Sequence, residues 1–123
     1  MKKLLILFFT LITINVCAVE KKTTFTNEIF TKAQQAGKTI VINSWNKSCG
    51  TCGMQTKILN QAEKEFSDVL FLSFEQTKDR DIAKQLKIDF WTTILVYKGN
   101  NLVSKTMGQI DKSSIYSEIK KGI

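Results

Sequence analysis

Two cysteines three residues apart, Cys49 and Cys52, stand where a short β-branched run gives way to a stretch with helical spacing. Upstream, TIVINSW from Thr39 to Trp45 reads as a buried strand, bounded by Gly37 on one side and the Ser48-Cys49-Gly50 cluster on the other. Downstream, Met54, Ile58, Leu59, Ala62 and Phe66 recur every three to four residues and predict an amphipathic helix to about Phe66. The thiols therefore lie at a helix start, where unpaired N–H groups and the helix dipole favour negative charge.

The same punctuation organises the rest of the chain. Thr26 can cap a helix with Glu28 in its first turn and Ile29, Phe30, Ala33 and Ala36 as its apolar stripe, ended by Gly37. Val69 to Phe74 reads as a second core strand, Asp79 to Leu86 as a short helix and Thr92 to Tyr97 as a third strand. Lys98-Gly99-Asn100-Asn101 turns the chain, so that Leu102 to Met107 pairs antiparallel with the strand before it. Asp111 or Ser113 caps a last helix carrying Ile115 and Ile119. Strands alternating with helices and closed by an antiparallel hairpin predict an α/β fold, a three-layer α/β/α sandwich on a mixed central sheet. Phe25, Phe30, Trp45, Phe66, Phe71, Phe74 and Phe90 are expected in the core, and Trp91 is expected to face the cysteines.

Composition sets the outer bounds. A chain of 123 residues, 43% apolar and without proline, repeats or low-complexity stretches, has room for one domain. Its net charge of +7 is spread over scattered residues and dipeptides such as Lys21-Lys22 and Lys120-Lys121, which argues against nucleic-acid binding. Residues 1–18, MKKLLILFFTLITINVCA, have a short basic start, an apolar stretch and small residues near Ala18, the pattern of an export signal. The apolar run is interrupted by Thr10, Thr13 and Asn15, and falls short of the roughly 18 to 20 residues a membrane span needs. The expectation is a signal peptide over 1–18, a domain over 19–123, and a periplasmic or secreted location; lipidation at Cys17 or retention as an anchor are the other outcomes.

Removal of residues 1–18 takes Cys17 with it and leaves only Cys49 and Cys52. Two cysteines so close cannot staple distant parts of a chain, so the pair is read as reactive. Cys49, at the helix start, forms a thiolate more readily than a free thiol and is the expected nucleophile. Cys52, one turn later on the same face, is placed to attack a mixed disulfide on Cys49 and is the expected resolving thiol. Zinc would want about four ligands, and the chain has no histidine to help supply them. No metal site and no cofactor beyond a Cys49–Cys52 redox disulfide are expected. Two other classes stay open: a dimer in which two such pairs hold a metal ion or an iron–sulfur cluster, and a binding or chaperone module that uses the fold without turnover.

From about Asn27 to Lys121 the chain resembles the thioredoxin family. The resemblance rests on Trp45 ahead of CGTC, the Lys57 to Phe66 helix, the TILVYKGN strand and turn, Gly108 and the last helix. KAQQAGKTIVINSW is similar to the thioredoxin-like domains of exported disulfide reductases. The resemblance implies a thioredoxin fold and reversible thiol–disulfide exchange with protein substrates, fed by a membrane or soluble electron-transfer partner, in a monomer. It gives Trp45 and Gly50 site-shaping roles, and places Trp91, Thr92 and Gly108 at the substrate-docking side.

The chain departs from the family pattern at four positions. Thr51 stands where proline is usual, and no histidine accompanies Cys49, so a reductant or interchange protein is expected rather than a strong oxidant. Asn43 replaces a buried aspartate that assists the resolving cysteine, and an amide cannot accept that proton. Ser48 replaces a tryptophan before the first cysteine. Thr92 replaces a cis-proline; a cis bond before a non-proline residue costs roughly 2.5 to 4 kcal/mol, so a trans bond is expected, with the backbone of Thr92 offered to an extended substrate.

Overall fold

The computed structural model describes residues 23–123. Four strands and four helices follow one another as α1 (Asn27–Gln35), β1 (Thr39–Trp45), α2 (Gly50–Glu65), β2 (Val69–Glu75), α3 (Arg80–Gln85), β3 (Thr93–Lys98), β4 (Asn101–Met107) and α4 (Lys112–Lys120). The sheet order is β2-β1-β3-β4. β1 runs parallel to β2, Thr39 opposite Val69 through Trp45 opposite Glu75, and antiparallel to β3, Asn43 opposite Ile94. β3 and β4 form the antiparallel hairpin. The sheet is therefore mixed, as expected.

The layers follow from side-chain alternation along β1, all seven residues of which are buried. Ile40 and Ile42 point into a core with Phe30 and Ala33 of α1 and Ala83 of α3. Val41 points the other way, into a second core with Leu59 and Ala62 of α2 and Ile115 and Ile119 of α4. A strand buried on both faces is what a sheet between two helical layers demands.

Local chemistry sets the helix ends. The Thr26 hydroxyl accepts from the Ile29 N–H at 3.1 Å, and the Asp111 carboxylate accepts from the Ser114 N–H at 2.9 Å. Four expectations fail by burial, one of them Ala36, which caps the end of α1 in an exposed position. Phe90, expected in the core, is 61% exposed in the loop before β3. Met54 and Ile29, assigned to apolar stripes, are exposed, and on α2 the inward positions go to Gln55 and Thr56. Helical phase decides this, because Cys52, Gln55, Thr56, Leu59 and Ala62 form one face and Met54 falls outside it. The boundaries also shift, with β3 starting at Thr93 and β4 at Asn101. The expected signal segment, residues 1–18, lies outside the described residues.

Candidate active site at the start of α2

The chain leaves β1 at Trp45 and reaches α2 through a turn that its own side chains hold. Asn46 accepts from the Ser48 N–H through Oδ1 at 2.8 Å and donates through Nδ2 to Thr77 Oγ1 at 3.1 Å. Its carbonyl accepts from the Cys49 N–H at 3.1 Å. Cys49 is the N-cap of α2, extended in backbone, and its sulfur accepts from the Cys52 N–H at 3.1 Å. Sulfur thus occupies the place usually taken by a serine or aspartate oxygen. No acidic residue lies in the first turn to oppose a thiolate.

Cys49 and Cys52 are joined as a disulfide with Cα atoms 5.3 Å apart. Cys49 is partly exposed, whereas Cys52 is 3% exposed, so a partner molecule reaches the first sulfur and not the second. Gly50 begins the helix, and exposed Thr51 sets its hydroxyl 3.1 Å from Cys49 Sγ. Trp45 is buried with its indole N–H unpartnered among the described residues. Among those residues no group of three His, Cys, Asp or Glu is arranged to hold a metal ion.

Asn43 lies on β1 next to Val41 in alternation, so it faces the α2 layer. It is 1% exposed, and neither amide atom has a hydrogen-bond partner among the described residues. A buried unsatisfied amide costs roughly 1 to 3 kcal/mol.

Across from α2, the loop before β3 keeps the expected trans bond but not the expected free backbone at Thr92. The Trp91–Thr92 bond is trans, as no cis peptide occurs among the described residues, and Thr92 adopts φ 60. For a β-branched residue this left-handed geometry costs on the order of 1 to 3 kcal/mol and needs surrounding bonds to hold it. Those bonds are present. The Thr92 N–H donates to the Ser44 carbonyl at 2.9 Å, and its carbonyl accepts from the Gly108 N–H at 2.9 Å and Gln55 Nε2 at 3.2 Å. Both backbone groups of Thr92 are therefore consumed inside the protein, so they are not offered to an extended substrate as expected. Gly108, at φ 74, is placed by this bond in a conformation that glycine adopts without strain. Trp91 is 45% exposed and forms one wall of an open cleft of about 420 Å³ with Gln76, Thr77, Arg80 and Lys84.

Sequence reasoning missed Ser44, Gln55 and Thr93. Ser44 Oγ donates to the Phe90 carbonyl at 2.9 Å and accepts from the Thr93 N–H at 3.3 Å, while Thr93 Oγ1 donates to the same Phe90 carbonyl at 2.8 Å. The one available signal was Gln55's position one turn beyond Cys52 on the helix face that must be buried.

The family model for Thioredoxin matches residues 16–121. The chain belongs to the thioredoxin family. Among its relatives, a thioredoxin H-type from Fagopyrum esculentum is 29% identical over 82 residues, 67% of this chain and 71% of that protein. Thioredoxin H4 of Arabidopsis thaliana is 28% identical over 101 residues, 78% of this chain and 84% of its own length. The crystal structure of thioredoxin NaTrxh from Nicotiana alata superposes with a TM-score of 0.71 at 24% identity, covering 77% of this chain and 82% of that one. Trxlp from Edwardsiella tarda gives 0.73 at 16% identity, covering 77% and 94%, and shares the fold. With its CGTC pair at the start of α2, this thioredoxin-family chain is a thiol–disulfide oxidoreductase acting on protein thiols and disulfides.

Proposed function

We propose that this member of the family works outside the cytoplasm, after loss of residues 1–18, as a monomeric reductant or interchange protein. The asymmetry of the pair supports this reading: Cys49 is reachable and Cys52 is 3% exposed. In the reduced protein the Cys49 thiolate attacks one sulfur of a partner disulfide. A Cys49–partner bond forms, and the partner's other sulfur leaves as a thiolate. Cys52, deprotonated, then attacks Cys49 Sγ, forming the Cys49–Cys52 disulfide and releasing the second partner thiolate. Two electrons pass to the partner, and an external dithiol donor, in the membrane or in solution, returns them by the reverse exchange. No further cofactor enters this sequence.

The absence of histidine beside Cys49 supports the reductive direction, because no imidazolium stabilises the thiolate so strongly that the disulfide becomes a strong oxidant. Export is supported by the charge and hydropathy pattern of residues 1–18; no helix among the described residues is long and apolar enough to cross a membrane. The experiment is to express the Cys52→Ser variant in its native host, fractionate the cell and identify proteins disulfide-linked to Cys49. Linked proteins outside the cytoplasm are expected, together with mature chains beginning near Val19. Capture confined to the cytoplasm, or none, would overturn the reading.

A further inference from the structure

Thr92 holds a left-handed backbone at the point where the 90–92 loop meets the redox helix, and one side chain of that helix reaches it. Gln55 is fully buried, one turn past Cys52 on the same face. Its Nε2 donates to the Thr92 carbonyl at 3.2 Å and to the Gln109 carbonyl at 2.9 Å. Both partners are acceptors, so only the amide nitrogen, with its two hydrogens, can serve both. Among the described residues these are the side-chain hydrogen bonds that join α2 to the loop before β3 and the loop after β4. The Gly108 N–H closes the triangle by donating to the same Thr92 carbonyl.

What this clamp holds is exposed. Phe90 is 61% and Trp91 45% solvent-accessible, side by side on the loop, and Ile110 follows Gln109 at 39%. With the backbone of Thr92 fully engaged, these apolar side chains are what the two loops offer a polypeptide, and both loops are tied to the redox helix through Gln55.

We propose that Gln55 is the positioning residue of the docking loop and sets the preference of this enzyme for extended, apolar polypeptide disulfides over small disulfides. The proposal rests on thiol–disulfide exchange at Cys49. It requires no contact between Gln55 and substrate: the residue acts through Thr92 and Gln109, and leaves the chemistry of the sulfurs alone.

The test compares the reduced parent and Gln55→Met, which keeps the length and loses both donors, against two oxidants. One is a peptide with an apolar residue beside its cysteine, oxidised to the symmetrical disulfide; the other is hydroxyethyl disulfide, an alkyl disulfide with a comparable leaving thiol and no apolar side chain to meet Phe90 or Trp91. The parent is expected to prefer the peptide. In the variant the peptide KM rises about fivefold with kcat held, the worth of roughly one hydrogen bond, while the small-disulfide rate stays within about twofold. Should Gln55→Met fail to fold, Gln55→Asn, one methylene too short to span both carbonyls, makes the same comparison. An unchanged peptide KM, equal losses with both oxidants, or a parent that exchanges without preference overturns the proposal. A parent inert toward both oxidants instead removes the exchange reading beneath it.

Discussion

The hydroxyl of Thr51 lies 3.1 Å from the sulfur of Cys49, and because a disulfide sulfur carries no hydrogen, the hydroxyl is the donor. In the reduced protein the same donor, with the Cys52 N–H, favours the thiolate over the thiol. Cys49 is therefore expected to titrate below the roughly 8.5 of a free cysteine and to alkylate faster than Cys52. Thr51→Val, which keeps the shape without the donor, moves the titration upward, and Thr51→Ser does not. Thiolate absorbance against pH measures both; identical curves for Val and Ser would remove the hydroxyl from the account.

Asn43→Asp places a carboxyl where neither amide atom has a partner among the described residues. Burial raises the pKa of such a group, so it can take a proton from Cys52 near neutral pH and speed release of a trapped mixed disulfide. The same shift carries a stability cost with a definite sign. Between the unfolded carboxyl's roughly 3.9 and the raised folded value, the native state holds the proton that the unfolded state has lost, so stability falls as pH rises across that window. Urea unfolding at several pH values checks the slope. Release no faster than in the parent would show that resolution is not limited by a missing base.

Thr92→Pro does not restore a family-like loop. Proline fixes φ near −65 and has no N–H, whereas Thr92 sits at φ 60 with its N–H bonded to the Ser44 carbonyl. The expected result is a loss of about 2 kcal/mol or more in urea unfolding, without a gain in peptide reduction. Faster reduction at parental stability would mean the loop rebuilds around a cis bond.

Glu118 of α4 accepts hydrogen bonds from Lys121 Nζ at 2.7 Å and from Ser104 Oγ of β4, and is held below the usual carboxylate range first by Lys121, then by Ser104. Its folded value being lowered, its contribution is complete above the unfolded glutamate's roughly 4.3 and disappears as pH falls through the folded value. Glu118→Gln should cost about 1 kcal/mol at neutral pH, with Lys121 half exposed and the pair partly screened, and progressively less in acid. A pH-independent difference would place the effect in packing.

The sequence by itself determined the order of elements and the position of the cysteine pair, because both follow from local signals: β-branched runs, helical spacing, glycine stops and caps at Thr26 and Asp111. It also exposed the replacements at Asn43, Thr51 and Thr92, since identity at a position is legible without coordinates. Burial was not legible at two positions: Phe90 in the loop before β3 is apolar yet exposed, and Gln55 on α2 is polar yet fully buried. Only tertiary structure decided those two, because a loop has no period that assigns Phe90 a face, and a polar side chain on the inward face of a helix is kept there by acceptors that other segments bring to it. For Gln55 these are the Thr92 and Gln109 carbonyls, 37 and 54 residues away in the chain, which accept both hydrogens of its amide nitrogen.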